Sequence, residues 1–139
     1  MRDRRTAPDP AQVDGQSPAQ VCVPVADLLA SPGGARDRQL IYGDDVRVFT
    51  VLDAMAYVIS DKDGYVGFVP QSALRKRVAA THRVRTLATH VYAEANIKSP
   101  DRMTLSFGAR VAAVSETPKF AETADGYIPK VHLAASDVL

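Results

Sequence analysis

One cysteine and three histidines are the residues of this chain that could form a nucleophile–base pair. Cys22 lies in the segment Val-Cys-Val-Pro-Val, whereas His82, His90 and His132 are scattered through the second half of the sequence. A peptidase thiolate needs an exposed, activated position, usually at a helix N-terminus beside a histidine. Because Cys22 is flanked by valines in a segment that predicts a strand, we expect a packed thiol and structural histidines. The sequence therefore predicts that this chain is not itself an enzyme.

Metal and cofactor sites are not indicated either. A single cysteine excludes an internal disulfide and a cysteine metal cluster, and the histidines lack ligand spacing. The carboxylate pairs Asp44-Asp45 and Asp61/Asp63 stand in turn contexts, where aspartate supplies local hydrogen bonds. The glycines of 32–34 lack the strand-to-helix setting of a phosphate-binding loop. We expect no metal and no cofactor.

A repeat organises the elements that must position any functional side chain. Residues 61–70 read DKDGYVGFVP and residues 123–129 read TADGYIP, so Asp-Gly-Tyr, a β-branched residue and a proline occur twice. Upstream, LIYGDDVRV at 40–48 matches LSFGARVAA at 105–113, which pairs Tyr42 with Phe107 and predicts that both are core residues. A period of about sixty residues indicates two copies of one small module.

Strand signals dominate both copies. The first copy predicts strands at 45–52, 54–60 and 65–69, and the second predicts strands at 110–115, 120–123 and 127–128. The pairs Asp63-Gly64 and Asp125-Gly126 are expected to form the hairpin turns, because glycine accepts a positive φ. The short segments PQSAL and PKVHL suit a 3₁₀ turn followed by a closing strand. The prediction is an all-β fold of two tandem small β-barrels.

The predicted domain organisation has three parts. Residues 1–18 are rich in proline, glycine and polar residues and predict a flexible tail. The first module then covers 19–77 and the second covers 78–139. The basic run Arg75-Lys76-Arg77 at the joint lacks interleaved aromatic residues, which is typical of a solvated linker.

Composition limits the partners. The formal net charge is +1, so bulk attraction to nucleic acid or to an acidic membrane surface is not expected. No run approaches the roughly eighteen apolar residues of a membrane span. The basic start is not followed by an apolar core, so no secretory signal is visible and a cytoplasmic location is the expectation.

The repeat carries a resemblance to a known family. The string LIYGDDVRV…DKDGYVGFVPQSAL resembles the first bacterial SH3-like (SH3b) domain of the NlpC-type cysteine peptidases. THRVRTL…LSFGARVAAV…DGYIPKVHL, residues 81–133, resembles the second such domain. The most similar subgroup is the γ-D-glutamyl-L-diamino-acid endopeptidases, also called dipeptidyl-peptidase VI, which trim murein peptides.

The resemblance implies an accessory role in peptidoglycan (cell-wall) recycling. Such enzymes have two SH3-like domains followed by a catalytic domain with an Asp-Cys-Ser-Gly-like motif, which this chain does not contain. The expected partners are therefore a C-terminal catalytic domain in cis and peptidoglycan-derived peptides. The parent protein is expected to be a cysteine-type hydrolase whose first SH3-like domain helps to wall the substrate cleft.

Three residues are candidates for ligand binding by that resemblance. Tyr65 corresponds to a tyrosine that can approach the free amino end, the L-Ala end, of a muropeptide. Met55 and Tyr57 stand where the family often places tryptophan, and both can fill a core or line an apolar groove. Tyr127, in the second copy, is interpreted as structural.

Two other functions remain open from the sequence. A free-standing module that binds a partner peptide or another domain would also suit tandem SH3-like repeats. A small nucleic-acid-binding barrel would need a basic face that the net charge of +1 hardly supplies.

Overall fold

Two compact units make up the chain. The computed structural model describes Pro8 and residues 15–136, and it divides into Met1–Arg77 and Val78–Leu139. Most of the predicted tail lies outside the described residues, but Ser17 and Pro18 belong to the first strand. None of the helices among the described residues is long and apolar enough to cross a bilayer.

Unit 1 is one antiparallel sheet with a 3₁₀ turn between its last two strands. Its strands are β1 (Ser17–Val21), β2 (Val25–Leu29), β3 (Arg36–Ile41), β4 (Asp45–Leu52), β5 (Met55–Ser60), β6 (Val66–Pro70) and β7 (Leu74–Arg75). The spatial order is β3-β2-β6-β5-β4-β1-β7. Gln71–Ala73 forms the predicted 3₁₀ turn, and β7 is the predicted closing strand. The end strands β3 and β7 do not pair with each other, so this sheet is not closed by hydrogen bonds within the described residues.

Unit 2 repeats the plan, although several of its strands are shorter. They are β8 (His82–Val84), β9 (Ala88–Tyr92), β10 (Asp101–Ser106), β11 (Arg110–Val111), β12 (Ala113–Glu116), β13 (Phe120–Thr123), β14 (Gly126–Pro129) and β15 (Leu133–Ala135). They form one sheet in the order β10-β9-β14-β13-β12 and another in the order β11-β8-β15. A second 3₁₀ turn, Lys130–His132, precedes β15. The all-β fold class predicted from the sequence is confirmed.

The core of unit 1 follows from the alternation of its strands. In β2 the side chains of Ala26 and Leu28 are buried, whereas Val25 and Asp27 are exposed. They pack with residues of the other strands in one buried cluster: Ala19, Val21, Leu40, Val46, Ala56, Val58, Val69 and Ala73. The strand β9 of unit 2 has the same alternation, with Thr89 and Val91 inward. The shared pattern places equivalent residues of the two copies in equivalent positions.

Backbone geometry supports the repeat independently of side chains. Gly43 and Gly108 both have positive φ, 86° and 88°, which glycine adopts without strain. The Gly43 N–H donates to the carbonyl oxygen of Val21 (2.9 Å), and the Gly108 N–H donates to that of Val84 (3.0 Å). The same turn is therefore built twice.

The two Asp-Gly-Tyr segments, however, are not structural equivalents. In unit 1, Tyr57 pairs with Phe68 and Met55 pairs with Pro70. In unit 2, Glu122 pairs with Tyr127 and Phe120 pairs with Pro129. The segment Gly-Phe-Val-Pro at 67–70 thus superposes on Gly-Tyr-Ile-Pro at 126–129. Asp63-Gly64-Tyr65 belongs to a connection that is three residues longer than its counterpart in unit 2.

Gly126 accordingly has a different role from the predicted one. The two residues Ala124 and Asp125 connect β13 to β14, and Gly126 is the first residue of β14. A Cβ atom on Gly126 would collide with the carbonyl oxygen of Tyr92. A Cβ atom on Gly67 would lie 2.7 Å from the carbonyl oxygen of Leu29. Both glycines let a neighbouring strand approach closely.

The prediction that Tyr42 and Phe107 are both core residues is half right. Tyr42 is 2% exposed, but Phe107 is 58% exposed. The Tyr42 ring is covered by Arg75, whose guanidinium lies 5.2 Å from the ring centroid and donates a hydrogen bond to the hydroxyl (2.7 Å). The strand pairing makes Ala134 the counterpart of Arg75. The alanine side chain is too short to cover Phe107, so this ring remains in contact with solvent.

Candidate functional site

The connection between β5 and β6 holds Tyr65 in a fixed turn. Gly64 has φ 74° and its N–H donates to the carbonyl oxygen of Ser60 (2.8 Å). The backbone N–H of Tyr65 donates to Asp63 Oδ1 (3.1 Å), and the Ser60 N–H donates to the carbonyl oxygen of Tyr65 (2.8 Å). Asp63 and Gly64 therefore form a turn that orients Tyr65.

Arg38 joins Asp63 and Tyr65 in a cluster of three side chains. Its Nε lies 2.6 Å from Asp63 Oδ2, and its guanidinium lies 4.7 Å from the centroid of the Tyr65 ring. Tyr65 is half-buried and also packs against the hydrophobic core of unit 1. The guanidinium thus covers one face of the ring and neutralises the Asp63 carboxylate. We call these three residues the hairpin cluster.

The Asp44 carboxylate is engaged in structural contacts rather than acid–base work. It is buried, accepts a hydrogen bond from the Ile41 N–H (2.8 Å) and forms an ion pair with Lys62 (2.8 Å). Asp45 accepts a hydrogen bond from Gln20 (3.1 Å). These contacts fix the turn between β3 and β4.

The Asp61 carboxylate is likewise held by two arginines. Arg47 Nε lies 3.3 Å from Asp61 Oδ1, and Arg77 Nη2 lies 3.1 Å from Asp61 Oδ2. Arg77 also approaches Asp45 at 3.6 Å. Because each carboxylate of the predicted pairs has a cationic partner, none is poised as a general acid or base.

Tyr57 and Met55 lie in a second hydrophobic cluster of unit 1. The Tyr57 ring is 5% exposed and lies between Phe49 and Phe68, at centroid distances of 5.6 and 4.7 Å. Met55 is half-buried and packs against the same cluster, which also contains Val66. The structure thus places Tyr57 in the packing between β4, β5 and β6, with little surface left for a ligand.

A groove beside the 3₁₀ turn is a further concave feature of unit 1. Its volume is about 420 Å³, and it is lined by Val23, Val25, Ala26, Asp27, Leu29, Pro70, Ser72 and Ala73. Asp27, its acidic residue, contacts Gln39 (3.0 Å) and Arg36 (3.6 Å). The groove therefore offers an apolar wall with its single carboxylate already engaged by neighbouring side chains.

The cysteine and the histidines do not form a nucleophile–base pair within either unit. Unit 1 contains Cys22 but no histidine, and unit 2 contains all three histidines but no cysteine. The Cys22 thiol is half-buried and lies 3.9 Å from the carbonyl oxygen of Ser72. No group of three or more potential metal ligands occurs in the part of the chain that the structure describes.

Each histidine contacts a threonine hydroxyl. Nδ1 of His132 lies 2.7 Å from Oγ1 of Thr89, and Nδ1 of His82 lies 2.7 Å from Oγ1 of Thr81. His90 makes the same type of contact with Thr104 at 3.1 Å. The contacts of His132 and His90 link separate segments of unit 2, whereas His82 contacts the residue directly before it.

Tyr127 occupies the position that Phe68 occupies in unit 1. It pairs across the hairpin with Glu122, whose carboxylate raises the pKa of the Tyr127 phenol. Tyr65 consequently has no counterpart in unit 2. Tyr65 lies in the five-residue connection 61–65 of unit 1, whereas the corresponding connection of unit 2 has only the two residues 124–125.

Comparison with solved structures supports the fold. An NlpC/P60 family protein from Bacillus cereus ATCC 10987 is 14% identical, with a TM-score of 0.62 over 86% of this chain and 56% of that one. NlpC2 and NlpC1 from Trichomonas vaginalis are 11% and 12% identical, with TM-scores of 0.38 and 0.40. NlpC2 matches over 86% of this chain and 48% of its own, and NlpC1 over 96% and 50%.

The chain spans about half the length of these three proteins. No curated protein matches it. A family match exists for part of unit 1, from within β2 to the start of β7, and this segment contains the whole hairpin cluster. Residues 28–74 match the bacterial dipeptidyl-peptidase SH3 domain.

Proposed function

We propose that this chain is a non-catalytic region of a cell-wall cysteine peptidase. In this proposal it packs on a catalytic domain in cis and helps to recognise the N-terminal L-Ala end of muropeptides. The observation that carries the proposal is the match of residues 28–74 to the dipeptidyl-peptidase SH3 domain. The likeness of the fold to an NlpC/P60 family protein supports it.

The chemistry of the hairpin cluster suits a ligand that bears both charges. A muropeptide has a free amino group and several carboxylates. A ligand carboxylate would compete with Asp63 for the guanidinium of Arg38. Arginine guanidinium groups bind carboxylates in bidentate geometry. Asp63 would then be released to accept a hydrogen bond from the ligand amino group. The Tyr65 hydroxyl supplies a further donor and acceptor at the same place.

The proposed contact is tested by replacing Tyr65 with phenylalanine. The ring is retained, so its packing against the core and under Arg38 is preserved while the hydroxyl is lost. Loss of one hydrogen bond of about 1 kcal/mol lowers affinity roughly five-fold. The measurement is an NMR titration of the chain with L-Ala-γ-D-Glu-diaminopimelate.

Tyr127→Phe is the matched control, since it removes a hydroxyl from the equivalent hairpin of unit 2. It should leave the affinity unchanged. Equal binding by the Tyr65→Phe variant and the unaltered chain would assign Tyr65 to packing alone. A chain that gives no shifts with this tripeptide would contradict recognition by the hairpin cluster.

The association with a catalytic domain is tested at the level of the gene. Reading downstream of codon 139 should reveal an Asp-Cys-Ser-Gly-like motif within roughly a hundred further codons, the size of a small domain. A stop codon directly after codon 139 would favour the free-standing interaction module instead.

A further inference from the structure

Unit 2 contains a groove that the proposed function does not use. It has a volume of about 460 Å³ and lies between the segment 95–97, the turn before β13 and the start of the second 3₁₀ turn. The lining residues are Ala95, Asn96, Ile97, Pro118, Lys119, Phe120, Pro129, Lys130 and Val131. This volume is within the usual range of about 300–1,000 Å³ for sites that hold small ligands. We call it the unit 2 groove.

Part of the apolar lining of the groove remains exposed in the folded unit. Phe120 is 7% exposed and Pro129 is buried, so these two form the floor. Ile97 and Val131, on the walls, are each 67% exposed. Aliphatic side chains exposed around a concave surface are typical of a binding site, because covering them is favourable at roughly 25 cal/mol per Å².

Local hydrogen bonds hold one wall in place. The Ala93 N–H donates to the carbonyl oxygen of Pro100 (2.8 Å), which closes the loop that carries Ile97. Inside the loop, the Ser99 hydroxyl donates to the carbonyl oxygen of Asn96 (2.6 Å) and the Lys98 N–H donates to Asn96 Oδ1 (2.8 Å). The wall is therefore organised before any ligand arrives, which lowers the entropic cost of binding.

The opposite wall is held in the same way. The Phe120 N–H donates to the Thr117 hydroxyl (2.9 Å), and the Thr117 N–H donates to the carbonyl oxygen of Phe120 (2.8 Å). These bonds fix the turn that contains Pro118 and Lys119. Pro118 and Pro129 lack N–H groups, and those of Phe120 and Lys130 already donate within the unit, which favours recognition by side-chain packing over addition of a strand.

The charge of the groove is positive. Its charged lining residues are Lys119 and Lys130, and no acidic residue lines it. Lys130 is engaged by Glu116 (3.4 Å) and by the carbonyl oxygen of Thr117 (3.2 Å). Lys119 is exposed and has no ion-pair partner within the described residues. One cation is thus available beside the apolar walls.

The equivalent place in unit 1 has different chemistry. The strand pairing superposes Met55 and Pro70 on Phe120 and Pro129. Ala54 stands in unit 1 where unit 2 has the cation Lys119, and Ser72 stands where unit 2 has Val131. The cation and the aliphatic wall are therefore features of the second copy, and the common fold does not require them.

We propose that the unit 2 groove binds a short peptide segment of a partner protein. The segment presents an aliphatic side chain next to an aspartate or glutamate. The aliphatic side chain packs on Phe120 between Ile97 and Val131, and the acidic side chain pairs with Lys119. This inference is independent of muropeptide recognition by unit 1.

The test is an NMR titration of the chain with acetyl-Ala-Leu-Asp-Ala-amide. We expect shifts at the amides of the groove residues, chiefly Ile97, Lys119, Phe120 and Val131. Replacing leucine in the peptide by serine, or aspartate by asparagine, should each weaken binding roughly two- to ten-fold, since each removes one of the two recognised groups. Equal binding of all three peptides would overturn the proposal.

Two charge reversals in the protein make the test specific to the groove. Lys119→Glu should weaken binding of the acidic peptide by about five-fold or more and leave the asparagine peptide little changed. Lys98→Glu is the matched control: it is an exposed lysine of the neighbouring loop that does not line the groove, and it should have a smaller effect. Equal losses in both variants would reduce the effect to net charge and contradict the assignment. Groove shifts with octanoate but not with the peptide would contradict it too, in favour of a fatty acid.

Discussion

Replacing Tyr57 by alanine is expected to lower the free energy of unfolding of unit 1 by about 3–5 kcal/mol, the usual cost of deleting a buried aromatic ring. The ring is 5% exposed and bridges Phe49 and Phe68, so its removal leaves a cavity between three strands. Urea unfolding of the whole chain, followed by the backbone amide signals of unit 1, measures this loss. The amide signals of unit 2 report its transition separately.

Tyr57→Phe is the control for this prediction. It keeps the ring and removes only the hydroxyl, so a loss of about 1 kcal/mol is expected. A Tyr57→Ala variant that unfolds like the unaltered chain but no longer binds L-Ala-γ-D-Glu-diaminopimelate would reverse the assignment. Tyr57 would then face the ligand, as expected from its place where the family often has tryptophan.

The strands were predictable because their patterns are local. β4 and β13 have the predicted bounds, and both 3₁₀ turns followed by closing strands occur where the segments PQSAL and PKVHL indicated them. The alternation that predicts a strand involves only residues close together in the chain. The same is true of the proline that precedes each 3₁₀ turn. Such signals survive in a single sequence.

The superposition of the two copies was harder to predict because three identical residues gave a misleading alignment. Asp-Gly-Tyr occurs twice, yet the structural match is Gly67 to Gly126. A better signal was present: glycine, an aromatic residue, a β-branched residue and proline occur at the same distance before Leu74 and Leu133. Anchoring on this pattern leaves six extra residues between β5 and β6 of the first copy, because residues 59–66 stand where the second copy has only 124–125, and it gives Tyr65 no counterpart.

Contacts between distant residues explain the remaining differences. The residues next to Phe107 in the sequence do not indicate that its ring is exposed. The difference from Tyr42 comes from β7, where Arg75 covers the Tyr42 ring and the second copy has alanine instead. The hairpin cluster likewise joins Arg38, on β3, to a turn that follows β5. Such pairs depend on which strands become neighbours, which hydrophobic periodicity does not encode.

The corrected superposition leads to a prediction about two glycines only three residues apart. Gly67→Ala should destabilise unit 1 by about 3 kcal/mol. The added Cβ would lie 2.7 Å from the carbonyl oxygen of Leu29 and 2.8 Å from Leu28 Cγ. Backbone in the neighbouring strand cannot withdraw without disturbing the sheet, so the variant is overpacked. Urea unfolding monitored through the amide signals of unit 1 gives the change.

Gly64→Ala is the matched comparison, and it separates steric collision from backbone strain. A Cβ on Gly64 would meet nothing within 4 Å, but φ is 74°, which costs an alanine about 1 kcal/mol. If Asp-Gly-Tyr were the shared structural motif, Gly64 rather than Gly67 would be the sensitive position. A larger loss for Gly64→Ala than for Gly67→Ala would therefore restore the simpler alignment, in which Tyr127 is the counterpart of Tyr65.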